Sequence, residues 1–339
     1  MNVKKLIKNI LVPVDFSSMS IQGLETAKRL ARSFKARMHI AHVSVPVQGR
    51  ALMAAAMAWQ ETPGTIAKAV REGLSCDLKE LASKYGLPNG DNIHLREGAP
   101  VFDVICRLAA EIPADLLVVP THAFKGVKRF FLGSTAERLI QHSPCPILVD
   151  RRSAARLPSK PLPPGPSLRV ARILVPVDFS TLSQNGLRYA IQFARQFAAK
   201  ITVLHVLDLG YSEPKDLSTM EHLKGFAGVS VRNVLKKARQ EMRKFVRSVA
   251  FSRVRAHSEV TIGPPVEQIS DYALANDFDL IVTSTHGLTG FKHVLMGSTA
   301  ERLVRRSRVP ILVVPSHPNV RAANLAGSRR QRSPLPQRK

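Results

Sequence analysis

Ile10-Leu11-Val12-Pro13-Val14-Asp15-Phe16-Ser17 recurs without a change as Ile173-Leu174-Val175-Pro176-Val177-Asp178-Phe179-Ser180. Two further stretches repeat in step with it. Gly133-Ser-Thr-Ala-Glu-Arg-Leu139 returns as Gly297–Leu303, and Pro146-Ile-Leu-Val149 returns as Pro310–Val313. The offset drifts by a single residue along the chain, so one domain is present twice. Each copy, at about 145 residues, is far longer than the unit of a solenoid.

Outward from the octapeptide, each copy alternates short β-branched runs with helical stretches, the pattern of a parallel sheet with crossover helices. Strands are expected at 9–14, 37–43, 92–96, 115–120 and 146–149, and again near 172–177, 200–207, 256–262, 279–284 and 309–314. Helices are expected near 18–35, 65–85, 100–111 and 134–142, then near 181–198, 221–249, 265–275 and 298–306. The continuous apolar character of Ile173–Val177 and Leu280–Val282 suits strands covered on both faces. Five prolines between Asp150 and Ser167 favour an extended spacer. Beyond residue 316 apolar periodicity is lost, which reads as a disordered basic tail. The expected organisation is a domain over 1–150, a linker over 151–168, a second domain over 169–316 and a tail over 317–339.

The richest chemistry follows the fourth strand of the second copy, in Ser284-Thr-His-Gly287-Leu-Thr-Gly290-Phe-Lys-His-Val-Leu-Met-Gly297-Ser298-Thr299. Ser298 and Glu301 fit the N-cap and N3 positions of a capping box at the start of the next helix. A strand's carboxyl end followed by a helix amino end suits an anion, because unpaired N–H groups and the helix dipole converge there. Glycine adds positive φ and leaves no Cβ in a phosphate's path. The chain has no G-x-x-x-x-G-K-[ST] and no G-x-G-x-x-G to compete with this loop.

The spacing resembles the nucleotide loop of the universal stress protein family, Gly-x2-Gly-x9-Gly-(Ser/Thr). Gly287, nine intervening residues and Gly297-Ser298 match it, while Ser284 replaces the first glycine. The Val-Pro-Val-Asp-Phe-Ser and Gly-Ser-Thr-Ala-Glu-Arg stretches carry the likeness through both copies, roughly 6–150 and 169–315. It implies two tandem Rossmann-like α/β domains, each a five-stranded parallel sheet of order 3-2-1-4-5 with helices on both faces. That order puts a switch point between strands one and four, where open α/β sheets bind ligands.

Carried over by motif, Pro176, Val177 and Asp178 should line the adenine and ribose, with Val206 flanking the base. Ser284, His286, Gly287 and Gly290 belong to the loop that approaches the phosphates, and Gly297, Ser298 and Thr299 cap them from the helix. Asp178 would accept a ribose hydroxyl or help hold Mg²⁺ through water. Alternatives stand beside these roles: Asp178 as a turn or cap carboxylate before Ser180, His286 as a loop histidine, and His205 as a satisfied core histidine. The first copy reads as a degenerate site, because Pro120 and Ala123 occupy the glycine positions and an alanine Cβ crowds a phosphate. The implied protein is an ATP- or AMP-binding regulator of the stress response, with ADP not distinguished.

For catalysis the sequence offers little. No His/Cys/Asp group has metal-ligand spacing, no Gly-x-Ser-x-Gly elbow occurs, and no base and charge clamp for phosphoryl transfer stand together. The expectation is a non-enzyme, with slow ATP hydrolysis or nucleotidyl transfer as the enzymatic alternative.

Composition bounds the setting. A chain of 339 residues with 45% hydrophobic content is ample for two globular cores. The apolar run Ala51–Trp59 is too short to span a bilayer, and three scattered cysteines without CxxC pairing favour a reducing compartment, by default the cytoplasm. The formal net charge is +25. The linker and tail hold eleven basic residues and no acidic ones over 151–169 and 317–339, so a non-specific nucleic-acid association through them is a third function class. Pro146–Val149 and Pro310–Val314 are near-identical edge strands. The family resemblance implies pairing through that strand, either within the chain as a pseudo-two-fold dimer or between chains as a homodimer.

Overall fold

The computed structural model describes residues 6–46, 50–87, 90–120, 132–150, 169–209, 231–251, 253–285 and 297–315. The first half runs β1 (Asn9–Pro13), α1 (Ser18–Phe34), β2 (Arg37–Ser44), α2 (Arg50–Trp59), α3 (Pro63–Lys84), β3 (Ile93–Glu97), α4 (Val101–Glu111), β4 (Leu116–Pro120), α5 (Ser134–His142) and β5 (Ile147–Asp150). The second half runs β6 (Arg172–Pro176), α6 (Thr181–Phe197), β7 (Lys200–Leu207), α7 (Val231–Arg247), β8 (Ala256–Ile262), α8 (Pro265–Ala275), β9 (Leu280–Ser284), α9 (Ser298–Arg306) and β10 (Ile311–Val314). The linker 151–168, the tail 317–339 and the segment 221–230 lie outside the described residues, as does the first-copy loop with Ala123.

Within each half the strands are parallel in the expected order 3-2-1-4-5. The two sheets are continuous, however, and form one ten-stranded sheet, β3-β2-β1-β4-β5-β10-β9-β6-β7-β8. The join is the only antiparallel pairing recorded among the described strands. Ile311 faces Val149, Leu312 faces Leu148 and Val313 faces Ile147. Two edges rich in unpaired N–H and C=O groups are thereby satisfied by each other.

Strand alternation sorts the side chains into two layers, since successive residues point to opposite faces. Ile10, Val12, Ile173, Val175, Leu148 and Leu312 join α1, α3, α6 and α7 in one layer. Leu11, Leu174, Ile147, Ile311 and Val313 join α4, α5, α8 and α9 in the other. Both layers cross the join without interruption. Ile311 and Val313 were read from sequence as an apolar edge, but they are 0% and 1% exposed beneath helices; a lysine there would enter the core instead of charging a rim. Around the same boundary, the Phe34 ring lies 5.3 Å from Phe193 and 5.6 Å from Phe197. Arg305 of α9 reaches Glu137 of α5 at 2.5 Å and Glu301 at 3.1 Å.

One helix was not anticipated. The Ala-rich run that is too short for a membrane forms α2, as its high helix propensity allows. It packs on α3, and Ala56 of α2 and Ile66 of α3 are both 7% exposed. No helix among the described residues is long and apolar enough to cross a membrane.

Candidate nucleotide cleft

The strand order reverses direction at β6, which pairs with β7 on one side and β9 on the other. A cleft of about 250 Å³ opens there, at the carboxyl ends of these strands. Pro176, Val177 and Asp178 come from the end of β6, Val206 from β7, Ser284 from β9, and Gly297, Ser298 and Thr299 from the start of α9. Eight of the eleven sequence-predicted site residues thus line one space. The other three, His286, Gly287 and Gly290, lie outside the described residues.

The β6–α6 turn shows why Val-Pro-Val-Asp-Phe-Ser is spelled as it is. Phe179 adopts a positive φ of 65°, an uncommon conformation for a residue with a Cβ. The turn is held on both sides. An Asp178 Oδ1 accepts the Ser180 N–H at 3.0 Å, and the Ser180 side chain accepts the Ser183 N–H at 3.0 Å as the N-cap of α6. The Phe179 ring stacks on His205 at 4.1 Å. Asp178 therefore serves as the turn carboxylate and also faces the cleft.

His205 donates from Nδ1 to the Val177 carbonyl at 2.8 Å. Burial is the largest influence on this imidazole and lowers its pKa, against smaller opposing effects of that bond and of Asp178. It is neutral near pH 7, with the Nδ1 proton committed to the backbone. The expected satisfied histidine is present, and it also lines the cleft. Leu204, Ile269 and Leu303 form the apolar floor and wall. Sequence reasoning did not single these out, because nothing but their place in the fold distinguishes them from other core residues. A signal existed for Pro265, which follows Gly263-Pro264 at the end of β8.

The start of α9 differs from the expected capping box. Gly297 is the N-cap, with φ −63° and ψ 137°, and no side chain caps the helix. Ser298 is the first helical residue, and Glu301 pairs with Arg305 instead of reaching back. The S-x-x-E spacing misleads because Gly297 takes extended geometry one residue earlier. The first intrahelical bond recorded is Glu301 N–H to Gly297 O at 3.0 Å. The N–H groups of Ser298, Thr299 and Ala300 precede that ladder, on the positive end of the dipole. The Gly297 N–H bonds the Thr285 carbonyl at 2.6 Å. Both ends of the intervening loop are therefore pinned together.

The first half keeps the turn and changes the rim. Asp15 accepts the Ser17 N–H at 3.0 Å, Phe16 has φ 60° and His42 Nδ1 bonds the Val14 carbonyl at 2.8 Å. Where β9 ends in Ser284, β4 ends in Pro120, which has no N–H to offer. A Cβ placed on Gly23 would sit 3.1 Å from the Pro120 ring, whereas one on the matching Gly186 meets the Ser284 N at 3.6 Å.

Among the described residues no group of three or more His, Cys, Asp or Glu side chains is placed to hold a metal. None of the three cysteines is in a disulfide, and burial pushes the Cys145 thiol up to about 12.

The profile of the Universal stress protein family matches residues 6–151 and 170–315. Universal stress protein MJ0531 of Methanocaldococcus jannaschii is 31% identical over 144 residues, which are 42% of this chain and 81% of that protein. Universal stress protein MJ0577 of the same organism is 28% identical over 158 residues, 44% of this chain and 96% of that one. The crystal structure of a universal stress protein from Archaeoglobus fulgidus DSM 4304 overlays with a TM-score of 0.59 at 16% identity. It covers 91% of this chain and 98% of that one, a likeness of fold across both halves.

Proposed function

The chain belongs to the universal stress protein family, and from that premise we propose that it is an adenine-nucleotide-binding regulatory protein with one competent site, in its second half. One observation carries the reading. The uncapped amino end of α9 and the Asp178 carboxylate face the same switch-point cleft. The cleft's volume of about 250 Å³ is a little below the ~300–1,000 Å³ usual for small-molecule pockets. That suits a base and sugar inside, with phosphates at the mouth.

Val177, Val206, Leu204 and Ile269 supply an apolar slot for the base. Asp178 accepts from a ribose hydroxyl. The Ser298 and Thr299 N–H groups meet the phosphates, where the helix dipole favours negative charge. A magnesium ion would bind with the phosphates. It is usually held by one or two carboxylates plus phosphate oxygens and waters, and Asp178 is the carboxylate lining the cleft among the described residues. Among the described residues the lining adds to Asp178 only the His205 imidazole, whose Nδ1 proton is committed to the Val177 carbonyl, which supports a reading of binding over turnover. Cysteines without disulfides suit a reducing, cytoplasmic setting.

Isothermal titration of the full chain with ATP and Mg²⁺ tests this. One equivalent should bind, Asp178→Ala should lose it, and Asp15→Ala should keep it. Two equivalents of equal affinity, or none, would overturn the one-site reading.

A further inference from the structure

The helix α7 carries seven lysine and arginine residues and a single carboxylate, Glu241. Ala238, Met242 and Phe245 are buried against the sheet layer beneath. What remains outside is nearly all cationic. Arg232, Lys236, Arg239, Arg243 and Arg247 are exposed and fall at i, i+4, i+7, i+11 and i+15, which is one stripe on a helix. At about 1.5 Å per residue the stripe runs roughly 22 Å. Among the described residues, the ion pair on this helix is Lys244 with Glu241 at 2.9 Å, off the stripe.

The duplication supplies an internal control. Setting buried Leu78 of α3 on buried Met242 of α7 places Lys68, Glu72, Ser75, Lys79 and Ser83 at the five stripe positions. There Lys68 and Glu72 pair at 3.9 Å, and α3 as a whole has four cations against three carboxylates. The same place in the same fold is therefore built without a basic stripe. Like charges at i,i+4 spacing weaken a helix slightly, so the stripe is not there for folding.

We propose that the outer face of α7 docks on the phosphate backbone of duplex nucleic acid. Four of the five stripe residues are arginines, whose fork geometry matches phosphate oxygens. A straight row of about 22 Å lies against a duplex carrying one charge per ~1.7 Å of axis. None of the large exposed hydrophobic residues is on α7, which leaves no apolar wedge for a bilayer and no stacking platform for bases. Binding is therefore electrostatic and independent of sequence. No α7 residue lines the cleft, so this surface stands apart from the nucleotide reading.

The experiment is fluorescence anisotropy of a labelled random-sequence DNA duplex with the full chain, repeated across salt concentrations. Combined Lys236→Gln, Arg239→Gln and Arg243→Gln substitutions should lower affinity at least tenfold and flatten the log–log salt slope by about 2.7, near 0.9 per lost phosphate contact. Combined Arg329→Gln, Arg330→Gln and Arg332→Gln substitutions in the tail should cost less. Circular dichroism melting confirms folding. If the triple variant melts early, Arg239→Gln and Arg243→Gln taken singly should each change the slope by about 0.9. Unchanged binding in the α7 variants, or a salt slope carried wholly by the tail, overturns the proposal. So do phosphatidylserine vesicles that bind more tightly than the duplex and lose binding in the same variants.

Discussion

Ser298 is the first helical residue of α9, behind a Gly297 cap with no side-chain bond to offer. Its N–H has no helical carbonyl to reach and is one of the donors assigned to the phosphates. Ser298→Pro deletes that donor and little else. Proline is well accepted at the first helical position. The residue before a proline must be extended, and Gly297 already has ψ 137°. A hydrogen bond to a charged partner contributes about 1.5–3 kcal/mol, and each ~1.4 kcal/mol is tenfold in affinity. Ser298→Pro should therefore weaken ATP roughly ten- to hundredfold in titration calorimetry, with folding stability changed by less than about 1 kcal/mol. Ser298→Ala keeps the N–H and should bind within a few-fold of the parent. The matched substitution in the first half is Ser134→Pro, behind a Gly133 cap with ψ 143°. It should leave ATP binding unaltered. A folded Ser298→Pro chain that binds ATP normally would refute the helix-terminus reasoning, and an equal loss in Ser134→Pro would refute the asymmetry.

Four other outcomes are expected. His39 and His94 are 4% and 8% exposed with Nδ1 and Nε2 3.1 Å apart. Burial, then His94 and Arg37, lowers His39 from 6.5 to about 4 against a smaller opposing pull from Asp91. The unfolded chain takes up this proton first, so stability is full above pH 6.5 and falls as pH drops toward 4. About 2 kcal/mol should be lost between pH 7 and 5, and urea unfolding of His39→Leu should show most of that difference gone. Arg305→Met should cost about 1 kcal/mol, since its ion pairs with Glu137 and Glu301 are partly exposed; a double-mutant cycle with Glu137→Gln should show coupling across the join. Gly263→Ala should destabilise by about 1–3 kcal/mol, because φ is +140° and the new Cβ would lie 2.8 Å from Gln268. Gly73→Ala meets nothing within 4 Å inside α3, and thermal melts should show it stabilised by about 0.5–1 kcal/mol.

The strands were legible because burial on both faces forces unbroken runs such as Ile173–Val177, and the exact octapeptide repeat fixed where each half begins. Pairing of the two matching short strands is what the family resemblance implies, though not its consequence that Ile311 and Val313 are core residues. Periodicity reports which faces are apolar, not how many helices cover them. The misplacement of the α9 cap has a different cause: Gly297 and Ser298 are both good caps, and only the backbone dihedrals decide between them. Val206 could be placed through the motif likeness to the family. Leu204 and Ile269 could not, because an apolar residue lining a cleft is spelled like one filling a core.

The seam between β5 and β10 joins two surfaces carried on one polypeptide. Their meeting is intramolecular, so dilution does not part them as it would two separate chains. It also releases each surface from two-fold symmetry. When identical chains pair about a two-fold axis, every substitution is made twice and must suit both sides. Here Arg305 grips Glu137, while the counterpart of Arg305 in the first half is Gln141. The buried histidines His39 and His94 have Thr202 and Glu259 as their counterparts. Each half can drift toward its own task while the other keeps the shared sheet intact.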